Sequence, residues 1–196
     1  LASYAGAHGI GGFEWMEGIP GNVGGSLRMN AGAMGIETFD QVVRVSFLDE
    51  DGVIRTRERE EIIADYRNVR ELRRNFALQA VFKGKNDTHD NIKERWHESR
   101  EKRKNSQPIA ASAGCTFKNP EEIAAGRLID SLGLKGKAIG QAAVSDIHGN
   151  FIVNNGKATA KDILSLIESI QKTAKEDRNI DLETEVKIIG EEEPTF

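Results

Sequence analysis

Cysteine is nearly missing from this sequence. Cys115 stands alone, which excludes an intrachain disulfide and a cysteine-based zinc cluster and suits a reducing compartment. Long apolar runs are missing as well: no stretch approaches the roughly 20 residues that cross a bilayer, so no membrane partner is expected. Basic residues are not in surplus. Lys and Arg total 27 against 31 Asp and Glu, a net charge of −4, which argues against nucleic acid as the main partner but leaves room for a small basic patch that holds phosphates. The opening Leu1-Ala2-Ser3-Tyr4 has no initiator Met, basic n-region or apolar h-region. It reads as an internal start, and the chain is expected to be a fragment. Repeats and low-complexity segments are also lacking. What remains is 196 residues, 30% charged and 38% apolar, a composition that suits a cytoplasmic protein of one domain or two small ones acting on small molecules.

The pattern along the chain predicts two mixed α+β units. Residues 1–37 crowd Gly18, Gly21, Gly24, Gly25, Gly32 and Gly35 around Pro20 and Asn30, a composition for turns and close backbone approaches. Val42 to Leu48 and Gly52 to Thr56 are β-rich and split by Asp49-Glu50-Asp51-Gly52, a hairpin signal. Phe76 to Lys83 reads as another strand. Asp87 to Lys104 has neither Gly nor Pro and is heavily charged, so it reads as a long solvated helix leading out of the first unit. Gln107-Pro108 breaks it. In the second unit Glu121 to Leu132 reads as helix, Phe151-Ile152-Val153 as a short buried strand and Asn154-Asn155-Gly156 as its turn. Thr159 is placed to cap a helix from Ala160 to about Lys175, with Ile163, Leu166, Ile167 and Ile170 on one face. Thr184 to Ile189 reads as a final strand.

Several segments carry chemistry. Gly18-Ile19-Pro20-Gly21-Asn22-Val23-Gly24-Gly25 offers bare backbone amides of the kind a phosphate or a flavin edge needs, or else a set of tight turns. Arg67, after Tyr66, is able to clamp a carboxylate with its guanidinium fork, or is simply a solvated surface arginine. Ser112-Ala113-Gly114-Cys115-Thr116-Phe117-Lys118-Asn119-Pro120 puts a thiol, a hydroxyl, an ammonium and an amide in one turn-rich loop, where proton donors are often held. Against this, Cys115 also fits as a small buried hydrophobe. His148 lacks partner histidines for a metal site and reads as structural. Glu183 and Glu185 flank Thr184, so in a strand they share a face. Two such carboxylates can raise one another's pKa for acid chemistry.

The order and wording of these phrases resemble one family, the UDP-N-acetylenolpyruvoylglucosamine reductases or MurB family. The resemblance rests on Gly18 to Gly25 with Met29-Asn30-Ala31-Gly32, on Tyr66-Arg67, on Ser112 to Pro120, on His148 to Asn154, and on Leu182 to Gly190. It covers nearly the whole chain. The short span from Pro120 to His148 is similar to the shorter, second type of the family.

That resemblance implies a cycle in which NADPH reduces FAD and hydride then passes to the enolpyruvyl double bond of a UDP-sugar, giving UDP-N-acetylmuramate for peptidoglycan. It implies Arg67 and Glu185 as groups that stabilise the developing enolate, and Tyr66 and Asn119 as substrate contacts. Gly18, Ile19, Pro20, Gly21, Asn22, Gly24, Gly25 and Asn30 would line the flavin. Cys115 stands where the family carries a serine proton donor, and a thiol of ordinary pKa near 8.5 is the stronger acid of the two. The family also commonly has a serine one residue beyond the Tyr-Arg pair, where Asn68-Val69 stands here. Lys118 and Arg127 are candidates for the diphosphate on charge alone.

The implied organisation is the C-terminal part of an FAD-binding domain over 1–106 and a small α+β substrate-binding domain over 107–196. In the family the last stretch, 183–196 here, tends to return toward the flavin domain. The other reading is a non-catalytic UDP-sugar-binding module, favoured by the lack of the family's N-terminal flavin unit before Leu1 and by the cysteine at 115.

Overall fold

The computed structural model describes residues 1–190 and divides into two compact units between Arg103 and Lys104. Both units mix helices with antiparallel sheets, so the fold class is α+β.

The first unit opens with helix α1 (Ala2–Ala7) and a two-residue strand β1 (Ile10–Gly11). Part of the glycine-rich stretch is helical rather than looped, because Asn22 caps α2 (Val23–Met29) by accepting from the Gly25 amide at 2.7 Å. A side-chain oxygen there satisfies an amide that has no helical partner. Asn30 then ends α2 in the left-handed region, with φ at 42°. Strands β2 (Gly32–Ala33) and β3 (Ile36–Glu37) form a small hairpin.

Strands β4 (Val42–Leu48) and β5 (Ile54–Glu58) form the expected hairpin, whose turn is held by the Asp49 carboxylate accepting from Asp51 and Val53 amides. A tight hairpin, β6 (Ala64–Asp65) to β7 (Asn68–Val69), leaves Tyr66-Arg67 as its two-residue tip. Strand β8 (Phe76–Phe82) completes a sheet of order β5-β4-β8. Val45 and Phe47 of β4 point inward among Leu27, Phe39, Ile62, Val69 and Leu72. Intervening Arg44 and Ser46 are more exposed, the period-2 alternation of a half-buried strand.

After β9 (Lys85–Asn86), which pairs with β1, comes α3 (His89–Ser106). This helix is more than a solvated lead-out. Ile92 is buried, and Arg95 donates to Glu14 at 2.8 Å and to Asp87 at 2.7 Å. Glu14 is itself buried and accepts from the Gly12 amide. A charge run read as surface thus fastens the helix to the start of the chain, since a buried carboxylate requires a partner.

In the second unit β10 (Ser112–Cys115), β11 (Ala138–Ile139), β12 (Ala142–Val144) and β13 (Phe151–Asn154) form a sheet of order β10-β13-β12-β11. Helices α4 (Ala125–Ser131) and α5 (Ala160–Arg178) share a core with it, built on Phe117, Leu128, Ile129, Val144, Leu166 and Ile170. Thr159 caps α5 through a reciprocal pair of bonds with Asp162.

Two expected elements differ. The helix foreseen from Glu121 starts only at Ala125, whose amide is taken by the Asn119 side chain at 3.0 Å. The strand foreseen over Thr184 to Ile189 contracts to one bridge, Phe117 to Thr184, because no ladder of partners continues beyond it. Among the described residues no helix is long and apolar enough to cross a membrane.

Candidate functional site

In the first unit, three of the residues singled out from the sequence come together at the β6–β7 tip. Asn30 is 1% exposed, and its carboxamide donates to the Glu37 carboxylate at 2.7 Å and to the Asp65 carbonyl at 3.2 Å. Its oxygen accepts from the Phe39 amide at 3.1 Å. Asp65 is the residue before the tip. Tyr66 is 44% exposed, and the Arg67 guanidinium lies 4.6 Å over its ring, a cation–π contact that orders both side chains. Arg67 also reaches back to the Gly32 carbonyl at 3.4 Å. Its backbone is left-handed, with φ at 54°, a conformation a non-glycine residue adopts only when its surroundings over-determine it.

The Gly18 to Gly25 segment is largely exposed. Gly18 and Gly21 have φ of +75° and +123°, and around Gly21 an added Cβ would meet nothing within 4 Å. Not all its amides are bare, since Ile19 donates to the Met16 carbonyl and Gly25 to Asn22. The first amides of α2, those of Val23 and Gly24, have no intrahelical carbonyl to meet. The segment thus offers an open backbone surface beside a helix start, which fits a phosphate or flavin edge.

In the second unit the Ser112 to Pro120 phrase is built around a bulge. Register slips between Ser112 and Cys115, and Gly114 sits at φ +85°. A left-handed glycine in a bulge re-aims the next side chain, and here that is half-buried Cys115. Beyond it the chain is clamped by Asn150, 2% exposed, whose carboxamide accepts from the Phe117 amide and donates to the Phe117 carbonyl, both at 2.8 Å. The Thr116 amide donates to the Asn150 carbonyl at 2.8 Å. On the loop's other side the C-terminal segment docks: the Glu185 amide donates to the Thr116 carbonyl at 2.8 Å, and the Lys118 amide to the Glu183 carbonyl. Cys115 and Glu185 are thereby brought to one place. Residues 191–196, the end of the stretch foreseen as returning, lie outside the described residues.

Other sequence candidates lie apart from these two clusters or have structural partners. Glu183 pairs with the Lys118 ammonium, and its carbonyl accepts from the Lys118 amide. Asn119 is exposed, with its oxygen on the Ala125 amide. Arg127 is exposed on α4. His148 accepts from the Asn150 amide at 3.2 Å and meets Phe151 edge-on. Burial holds its pKa below 6.5. Among the described residues no group of three or more His, Cys, Asp or Glu is placed to hold a metal.

Sequence reasoning missed Asn150 and Glu37 as organising residues. Asn150 lay inside a quoted phrase. Its signal was only an Asn before the apolar run Phe151 to Val153, which ordinarily marks a turn.

Comparison with known proteins adds an independent line. The family model for the C-terminal domain of UDP-N-acetylenolpyruvoylglucosamine reductase matches residues 106–189. A UDP-N-acetylenolpyruvoylglucosamine reductase of Bacillus pumilus is 43% identical over 195 residues, covering 98% of this chain and 64% of that protein. One from Bacillus licheniformis is 46% identical over 181 residues, covering 91% of this chain and 98% of the relative. The crystal structure of the reductase (MurB) from Thermus caldophilus superposes with a TM-score of 0.83 at 39% identity, over 94% of this chain and 67% of that one. The chain spans 64% of the length of the first relatives it matches.

Proposed function

The chain belongs to the UDP-N-acetylenolpyruvoylglucosamine reductase family, and from that premise we propose that it carries the catalytic side chains of an FAD- and NADPH-dependent oxidoreductase. The reaction is reduction of the enolpyruvyl ether of UDP-N-acetylglucosamine to UDP-N-acetylmuramate, a cytoplasmic step in peptidoglycan synthesis. The observation that carries this reading is the docking of the Glu185 segment on the loop that presents Cys115, within a chain 39% to 46% identical to named reductases along most of its length. The first unit is read as the C-terminal part of the flavin domain and the second as the substrate-binding domain. With a net charge of −4, nucleic acid is not expected as a partner.

FAD, when bound, supplies the hydride, with NADPH as its reductant. The exposed backbone from Gly18 to Gly25 is the surface that would hold it. Every other step belongs to side chains of this chain. As the enolpyruvyl group gains hydride, negative charge grows on its carboxylate, and fixed charges aimed there lower the barrier without reorganising. Arg67 is positively charged at any working pH, and its left-handed backbone and the Tyr66 ring fix its direction. Tyr66 and Asn119 are read as substrate contacts, Asn119 through the NH₂ that its helix-capping oxygen leaves over. The enolate carbon then takes a proton. Cys115 holds one on sulfur, and its transfer leaves a thiolate at Cys115 and a new C–H bond on the product. Glu185 stands beside that loop through its backbone bond to Thr116.

The test separates the two half-reactions. Under anaerobic conditions NADPH should bleach the bound flavin, and the UDP-enolpyruvyl sugar should restore its absorbance. Cys115→Ala should leave bleaching unchanged and slow recovery by roughly 10²- to 10⁴-fold, the usual worth of a general acid. Cys115→Ser should retain much of the recovery. Recovery in Cys115→Ala at the parental rate would remove the thiol from the mechanism. Tight binding of the sugar with no flavin chemistry would mark a UDP-sugar-binding module instead.

A further inference from the structure

We propose that Asn30 is a positioning residue: its carboxamide holds the Tyr66-Arg67 tip so that the Arg67 guanidinium is presented in one fixed direction. This rests on Arg67 being the cation of the proposed site.

A residue that closes a helix in the left-handed region needs only its backbone for that task, and glycine does it with least strain. Asn30 does more. Its side chain is 1% exposed and makes three hydrogen bonds that reach two other parts of the unit. One amide hydrogen goes to Glu37 on β3, the other to the Asp65 carbonyl on β6, and the oxygen receives the Phe39 amide. The end of α2, the β2–β3 hairpin and the β6–β7 hairpin are thus tied at one atom group. Asp65 immediately precedes the tip, so the bond to its carbonyl fixes the strand from which Arg67 projects.

Gly32 supplies the second half of the device. A Cβ there would come within 2.9 Å of the Ile36 carbonyl, 3.0 Å of the Glu37 side chain and 3.5 Å of the Arg67 guanidinium. Only a bare backbone lets the Arg67 side chain lie against its carbonyl while Glu37 reaches Asn30. The left-handed φ of Arg67 shows that the tip is held against its local preference, and such strain persists only where neighbours over-determine it. The Asn30 bonds and the Gly32 contact are neighbours of that kind. A misplacement of about 1 Å in a group that orients charge can cost 10²-fold in rate, so a fixed tip has a catalytic consequence.

The test reads order and rate separately. In the ¹⁵N-labelled chain, heteronuclear NOE values at the Arg67 amide and side-chain Nε should be those of rigid structure. In Asn30→Ala both values should fall, that of the side-chain Nε toward the value of an exposed helix arginine such as Arg100. In the flavin-loaded protein Asn30→Ala should lower kcat by roughly 10- to 100-fold, with the loss falling on flavin reoxidation by the UDP-enolpyruvyl sugar more than on flavin reduction by NADPH. Val45→Ala, a core lesion in the same unit, should lower stability and leave both readouts at parental values in the folded fraction. If Asn30→Ala does not fold, Glu37→Ala removes one of the three bonds and should show the same loss of order in milder form. Parental Arg67 order and parental kcat in the folded Asn30 or Glu37 variant would reduce Asn30 to a helix cap and overturn the proposal. The order measurement needs neither flavin nor sugar. A parental protein that fails to reduce the sugar therefore sinks the reductase reading alone, and Arg67 order still decides this one.

Discussion

At the scale of single residues, two buried asparagines organise the candidate site, and neither is chemically reactive. Asn150 is the clearer case for stability. Its carboxamide satisfies both the N–H and the C=O of Phe117, a residue 1% exposed and two positions beyond Cys115. Asn150→Ala would leave two buried backbone groups without partners. Each unmet group costs about 1–3 kcal/mol, so a loss of roughly 2–6 kcal/mol is expected in urea unfolding. Asn150→Asp keeps an acceptor for the Phe117 amide and loses the donor to its carbonyl, so it should retain part of that stability. A loss under about 0.5 kcal/mol for the alanine variant would mean that water or a shift of the loop replaces the clamp. Cys115, Arg67 and Glu185 could be proposed from the sequence because they sit in phrases that resemble a family. The supporting bonds of Asn30 and Asn150 could not be read there, because a carboxamide in a loop looks the same whether it faces solvent or buried polar groups.

At the scale of elements, what could be read was what repeats with a period. Strand β4 and helix α5 were both anticipated, since Val45 and Phe47 alternate with polar neighbours and Leu166, Ile167 and Ile170 recur at helical spacing. Short elements fixed by one contact were not. Helix α4 begins where the Asn119 oxygen meets the Ala125 amide, and the residues from Glu121 onward carry no sign that their own amides lie outside it. The alternation in Thr184 to Ile189 is real, but alternation says nothing about whether a partner strand is present, and only Thr184 finds one. The capping of α5 gives a quantitative test at this scale. Thr159 accepts from the Asp162 amide at 3.1 Å, and Asp162 accepts from the Thr159 amide at 2.9 Å. Thr159→Ala removes the first of these and should cost about 1 kcal/mol, seen as a lower midpoint in far-UV circular dichroism with no change in m-value. A changed m-value would point instead to loss of structure beyond the cap.

At the scale of the whole molecule, the two units are expected to respond differently to acid, and the chain carries its own reporters of which one responds. Trp15, Trp96, Tyr4 and Tyr66 all lie in the first unit, so tryptophan emission follows that unit alone, whereas circular dichroism also follows α4 and α5. In the second unit burial holds His148 below its ordinary pKa of 6.5. The unfolded chain therefore takes up the proton first as pH falls. Stability from a neutral His148 is complete above about 6.5 and is lost as pH drops from there through the folded value. In the first unit Asp49 and Asp87 are held below their ordinary 3.8, Asp49 chiefly by the Val53 amide and Asp87 chiefly by the Asn91 side chain. Their contribution is complete above about 3.8 and is lost only at lower pH. Between pH 7.5 and 5, then, the dichroism transition in urea should move to lower denaturant while the tryptophan transition moves less. His148→Asn should remove that extra movement. Separate midpoints would also show that the units unfold as two cooperative bodies rather than one. If both probes shift together and by the same amount in parent and variant, the acid response does not reside at His148 and the two units share a single transition.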